Sequence, residues 1–330
     1  MEDVMRELVA AFPDHLREAK HIADAFPSPS YRPFDNVAIF GLGGSGIGGT
    51  IISQMLADEC PVPINVVKDY DIPAYIGKRT LVIACSYSGN TEETLEAVSQ
   101  AHERGAQIAC ITSGGKLAEL SAGHGWPCVI IPGGLPPRAA FGYSFVQLLN
   151  IAEVYGLSTT PWKSSLLEVA DHLTVQSEKI SNAGRQLAEA LVGHTPVIYS
   201  STWLEGVAVR WRQQFNENSK ILCWHHVYPE MNHNELVGWR SEDHRLAVIF
   251  LVSDLDNSRV VRRMELTKSV YSKYTPHLHF CKAVGKNKMA QAVYLIHLGD
   301  WTSVFLAQFR GVDATEVKVI DWLKTELGKA

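Results

Sequence analysis

The sequence has no CxxC pair, and its six cysteines, at positions 60, 85, 110, 128, 223 and 281, are scattered and mostly lie in apolar runs. That spacing argues against a disulfide framework or a thiolate metal site, and the thiols read as core residues of a reducing compartment. Positive charge is not in excess: 30 Lys and Arg against 35 Asp and Glu leave a formal net charge of −5. A nucleic-acid partner or a polybasic membrane contact is therefore not expected. Long hydrophobic runs are missing too. The longest, LAVIFLV at 246–252, has the length of a buried strand and falls far short of the roughly 20 residues that span a bilayer. The opening MEDVMRELVAAF has neither the basic region nor the apolar stretch of a signal peptide. A cytoplasmic protein is expected.

What is present is the composition of a globular protein: 330 residues, 46 % hydrophobic and 20 % charged. Such a chain can bury two cores. After an N-terminal helical arm (1–35, helical to about 26) closing on PSPSYRP, the strand-like runs NVAIFGL, VPINVVK, TLVIAC, QIACIT and PCVIIP alternate with helical patterns at 46–57 and 90–104. This alternation predicts an α/β fold, a doubly wound parallel sheet with helices on both faces. Helical stretches follow at 139–156 and 161–192. Then the pattern returns: TPVIYSS, ILCWHHV, LAVIFLVSD and HLHFCKAV read as strands, with helices over 202–220 and 256–273. The two halves form a degenerate internal repeat. The expected organisation is a first domain at 36–155, a helical connector at 156–192 and a second domain at 193–330. The second domain ends in helices, the last of them capped by Asp313 or Thr315.

Four stretches can carry chemistry. SYSGNTEET (86–94) follows the apolar TLVIAC and opens a helix. Its Ser/Gly/Thr turn places free N–H groups and hydroxyls at a helix N-terminus, which favours a bound anion; an ordinary N-cap by Ser88, Asn90 or Thr91 is the plainer alternative. GLGGSGIGG (41–49) contains G-x-G-x-x-G at Gly41, Gly43 and Gly46, with Asp69 one strand later, the pattern of a dinucleotide site. Ser45 inside that turn, and a second hydroxyl-rich loop at another strand end, suit a small phosphate ester better. In GGLPPRAAFGYSF (133–145), Arg138 is restrained by Pro137 and can hold its guanidinium towards an anion. In RWRQQFNENSK (210–220), Glu217 lies at the end of a helical pattern between Asn216 and Asn218, whose amides can orient it as a base; a solvated helix-end carboxylate is the plainer alternative. YPEMNHNELVGW (228–239) places His233 between Asn232 and Asn234, which can fix its ring for proton transfer near neutral pH; a satisfied core histidine is the plainer alternative. His225, His226, His233 and Glu235 leave a metal reading open, which no H-x-x-x-H pair or cysteine ligand supports.

Taken in order, GLGGSGIGG, DYDIPAYIG, SYSGNTEETL, PPRAAFGY, RWRQQFNENSK and MNHNELVGW resemble the sugar isomerase (SIS) domain family. More narrowly, they resemble its bifunctional phosphoglucose/phosphomannose isomerases. The resemblance runs from about residue 36 to the C-terminus; the loop joining the halves and VDATEV (312–317) depart from the pattern. It implies two SIS-type doubly wound subdomains and interconversion of glucose 6-phosphate or mannose 6-phosphate with fructose 6-phosphate through an enediolate, without cofactor or metal. It also implies that Ser45, Ser86, Ser88 and Thr91, with the Gly43–Gly44 turn, hold the sugar phosphate. Glu217 would be the base, Arg138 would stand near the enediolate, and His233 and Lys324 would serve ring opening. In this family the histidine crosses a dimer interface, so a homodimer with His233 acting in the neighbour's site is expected. Competing readings are an amino-sugar phosphate isomerase of the same fold, a phosphosugar-sensing module without turnover, and a nicotinamide-dependent dehydrogenase.

Overall fold

The computed structural model describes residues 4–329. The N-terminal arm is two helices, not one: α1 (Val4–Ala10) ends at Ala11, and α2 (Phe12–Asp24) restarts with Pro13 in its first turn, where a missing N–H leaves no broken bond. Next come β1 (Asn36–Phe40), α3 (Gly43–Met55), β2 (Ile64–Val67), β3 (Thr80–Cys85), α4 (Glu92–Glu103), β4 (Gln107–Thr112), α5 (Gly115–His124) and β5 (Cys128–Ile130). The five strands pair in parallel in the order β2-β1-β3-β4-β5. Chain direction across the sheet reverses between β1 and β3, and a crevice opens there beyond the strand ends. The helix α5 was not expected from the sequence; glycines crowd both of its ends and leave only a short apolar stripe between them.

α6 (Phe141–Val154) leads into α7 (Trp162–Val175) and α8 (Ser177–Ala190). The stretch at 161–192 is thus two helices that meet at Gln176, C-cap of one and N-cap of the next. The second sheet, in order β7-β6-β8-β9, is built from β6 (Thr195–Ser201), β7 (Trp224–Tyr228), β8 (Leu246–Val252) and β9 (Leu278–Lys282), all parallel. α9 (Glu205–Glu217), α10 (Ser258–Tyr271), α11 (Lys288–Arg310) and α12 (Lys318–Leu327) complete the chain. The final helix has Val317 at its N-cap and no side-chain cap, so neither Asp313 nor Thr315 starts it. Instead the Asp313 carboxylate accepts the Thr315 N–H at 2.7 Å, closing a local turn before the helix begins.

Strand periodicity sorts the core. Val37 and Ile39 of β1, Ile198 of β6, and Ala247 and Ile249 of β8 face a continuous interior shared by both halves with α3, α6, α9 and α11. Their alternate neighbours Ala38 and Phe40 pack outward with α4, while Tyr199 and Phe250 pack outward with α10. α11 is buried without a break from Gln291 to Ala307, including His297, Asp300, Thr302 and Ser303. α9 lies against α3 so closely that a Cβ on Gly206 would come within 3.0 Å of the Ile51 backbone. That approach carries the C-terminal end of α9 to the crevice of the first sheet.

Candidate active site

Two loops meet at the ends of β1 and β3. Leu42 is the N-cap of α3 and Thr91 that of α4, and neither side chain caps its helix. The plain capping alternative is therefore not what Thr91 does: its hydroxyl pairs with Ser86 Oγ at 2.8 Å. Ser86 is buried. Ser45 Oγ accepts the Tyr87 N–H at 3.0 Å, which joins the loops, and Ser88 Oγ accepts the Asn90 N–H at 3.2 Å. Ser45, Ser86, Tyr87 and Pro137 line one small cavity. Uncapped N–H groups at two helix starts, ringed by hydroxyls, are a site for a compact anion. Gly43 is exposed with φ +52°. A Cβ on Gly44 would lie 3.1 Å from the Pro137 carbonyl, so this glycine lets the Arg138 segment close over the loop.

Arg138 is buried. Its Nε donates to Asn218 Oδ1 at 2.6 Å, one terminal nitrogen to Glu217 Oε2 at 3.4 Å, and the other to the carbonyls of Ala314 at 2.5 Å and Thr315 at 3.1 Å. Burial lowers its proton affinity, opposed by the Glu217 charge. The Glu217 side chain keeps about a quarter of its surface exposed, so it is open to a ligand on the side away from Arg138. The expected orienting role of the flanking asparagines is not what the structure has. Asn216 donates to the Ile221 carbonyl at 2.7 Å, and Asn218 spends its amide on Arg138 and on Ser303 Oγ at 2.9 Å. Asn218 therefore orients the arginine rather than the carboxylate, because α11 brings Ser303 to its other end.

Behind this pair lies a buried group that the sequence reading did not single out. Arg210 pairs with Asp300 at 2.7 Å, donates to the Arg138 carbonyl at 3.1 Å, and stacks its guanidinium 4.2 Å from the Phe141 ring. Gln214 donates to the second Asp300 oxygen at 2.8 Å. Burial pushes the Asp300 carboxyl above the usual carboxylate range, with Arg210 as the main opposing influence. One signal was available: Asp300 and His297 lie in the apolar middle of a helix whose Lys288 and Arg310 stand at its two ends, and an uncompensated charge there is costly.

Among the described residues, the ion pair to the Glu217 carboxylate comes from Arg138 and not from His233 or Lys324. His233 is exposed at the end of the short turn Glu230–His233. The asparagines beside it do not hold its ring: Asn232 accepts from Arg263 at 3.2 Å, and Asn234 caps the following turn through Glu235 N–H at 2.6 Å. Lys324 lies on α12, which has no buried residue; Val319, Trp322 and Leu323 are exposed beside it. Among the described residues no group of three or more His, Cys, Asp or Glu is arranged to hold a metal. Glu235 takes hydrogen bonds from Tyr199 and Trp224 instead. Asp69 is exposed and accepts its neighbour's N–H at 2.8 Å.

The SIS domain model matches residues 31–122, and the model of the bacterial phospho-glucose isomerase C-terminal SIS domain matches residues 180–327. A bifunctional phosphoglucose/phosphomannose isomerase of Caldicellulosiruptor bescii is 38 % identical, covering 98 % of this chain and 99 % of its own. The chain belongs to the bifunctional phosphoglucose/phosphomannose isomerase family. Another member, from Aquifex aeolicus, is 36 % identical over 90 % of this chain and 92 % of its own. The fold of this family member is also that of the C-terminal domain of glucosamine-fructose-6-phosphate aminotransferase from Francisella tularensis, with TM-score 0.78 at 13 % identity over 96 % of this chain and 99 % of that one. Within the phosphoglucose/phosphomannose isomerase fold, the Arg138 segment thus packs on Gly44 of the first hydroxyl loop while its guanidinium reaches Glu217, and His233 and Lys324 lie on exposed segments.

Proposed function

We propose that this chain is an isomerase that interconverts glucose 6-phosphate and mannose 6-phosphate with fructose 6-phosphate. The observation that carries the reading is Arg138: its segment packs on Gly44 of the hydroxyl loop and its guanidinium reaches Glu217. The anion end and the proton-transfer end of the site are therefore one unit. Ser45, Ser86, Ser88 and Thr91, with the first N–H groups of α3 and α4, receive the 6-phosphate. Glu217 moves the proton between C2 and C1, and Arg138 stabilises the enediolate that forms between those steps. Mannose 6-phosphate is the C2 epimer of glucose 6-phosphate, so one base serves both when the intermediate can turn about C2–C3.

Ring opening is assigned to His233 and Lys324, with His233 supplied to the site of a second copy in a homodimer. The exposure of His233 and the uncovered apolar face of α12 support that assignment. The domain division proposed is an arm at 1–35, SIS domains at 36–155 and 193–330, and a connector at 156–192. Among the described residues no helix is long and apolar enough to cross a membrane. Six unpaired cysteines support a cytoplasmic setting.

The test is turnover of each aldose phosphate to fructose 6-phosphate by purified protein in excess EDTA, beside Glu217→Gln. Activity on both sugars in wild type, reduced by about a thousandfold or more in the variant, is expected. Absence of activity on either sugar moves the assignment to an amino-sugar phosphate or to a sensing module.

A further inference from the structure

Glu217 is the last residue of α9, and carbonyls in a helix's last turn have no partner within the helix. Its own carbonyl is met by the ammonium of Lys220, three residues on. The same ammonium donates to the Glu316 carbonyl at 2.7 Å and lies 4.0 Å from the Glu316 carboxylate. Lys220 is also the one non-glycine residue with positive φ among the described residues, at +56°. Glycine or asparagine adopts that backbone at lower cost, so the turn by itself does not call for a lysine. The side chain folds back onto the base's own peptide and across to the C-terminal segment. Arg138 grips the same segment one and two residues earlier, at Thr315 and Ala314. The charged groups that face Lys220 are Arg138, Glu316, Asp313 and Glu217.

We propose that Lys220 is a positioning residue for the isomerisation: by tying the Glu217 peptide to the Glu316 carbonyl, it sets the base against Arg138 without touching the reacting atoms. This rests on Glu217 as the base. A carboxylate misplaced by a fraction of an ångström loses rate while phosphate binding, held by the loops on α3 and α4, stays as it was.

The experiment compares Lys220→Gly, Lys220→Asn and Lys220→Arg with wild type and with Glu217→Gln, by steady-state kinetics on glucose 6-phosphate and by thermal melting. Glycine and asparagine both keep the left-handed turn while removing the ammonium, so the fold survives in at least one of them. The expected result is a melting temperature no lower than wild type, kcat reduced by roughly 10- to 100-fold, KM within about twofold, and partial recovery of kcat in Lys220→Arg. Wild-type kcat in the glycine and asparagine variants, or a change in KM alone, overturns the proposal. An inactive Glu217→Gln beside fully active Lys220 variants sinks only the role of Lys220. A fully active Glu217→Gln sinks the base assignment and this proposal with it.

Discussion

Arg138 commits four of its five N–H donors before any substrate arrives: one to Asn218, one to Glu217, and two to backbone carbonyls. A planar fork can serve those directions at once, whereas a lysine ammonium is a point charge on a flexible stem. Arg138→Lys is therefore expected to lower kcat by about 100- to 1000-fold with a much smaller change in KM, measured by steady-state kinetics on both aldose phosphates. Residue identity at this scale was legible in the sequence. Arg138 between proline and a helix start, Glu217 at a helix end and the serines after β3 all read as site candidates from type and spacing. What each side chain holds was not legible. Asn216 and Asn218 flank Glu217 in the chain, yet neither amide meets its carboxylate. An amide's direction is set by what packs on its far side, and Ser303 is 85 residues away in sequence.

The strands are the elements that sequence describes best. β3 is buried at all six positions and β1 at four of five, and an apolar run bounded by turn residues has few other fates. The helix boundaries were harder to read. The arm breaks at Ala11, just ahead of Pro13, and 161–192 divides at Gln176 with no proline or glycine beside it to mark the break. The docking of the arm has a pH dependence of its own. His297 of α11 bonds through Nε2 to the Val9 carbonyl of α1 at 3.1 Å and packs against Phe12 of α2, while its buried Nδ1 has no partner. Burial pushes this imidazole down to about 4, whereas an unfolded histidine titrates near 6.5. Between those values the unfolded chain holds the extra proton, so stability is full above about pH 6.5 and declines as pH falls towards 4. The decline is at most roughly 3 kcal/mol. His297→Gln, which keeps a donor for Val9 and cannot titrate, is expected to flatten that part of a melting-temperature profile between pH 4 and 7.

At the scale of the whole molecule, one core joins the two sheets, and the Arg210–Asp300 pair ties α9 to α11 inside it. That core leaves His233 and α12 outside. If the site is completed by a second copy, Glu217→Gln and His233→Ala are each inactive as homodimers but complement each other. A mixed dimer pairs the intact Glu217 of one chain with the intact His233 of the other in one of its two sites. Remixing the two dead variants at equal concentration after subunit exchange is expected to restore about a quarter of wild-type sites. An assay that recovers nothing, with exchange verified by mass, places His233 in its own chain's mechanism or outside it.

The sequence by itself determined the α/β class, the parallel strand runs, the hydroxyl loops at strand ends and the family, because these depend on local periodicity, on turn chemistry and on short contiguous motifs. Only the tertiary structure decided that Asn218 serves Arg138, that Asp300 is paired inside an apolar helix, and that the carbonyls of residues 314–316 receive both Arg138 and Lys220. These are contacts between residues far apart in the chain. Their partners are chosen by how α3, α9 and α11 pack, and no local pattern encodes that choice.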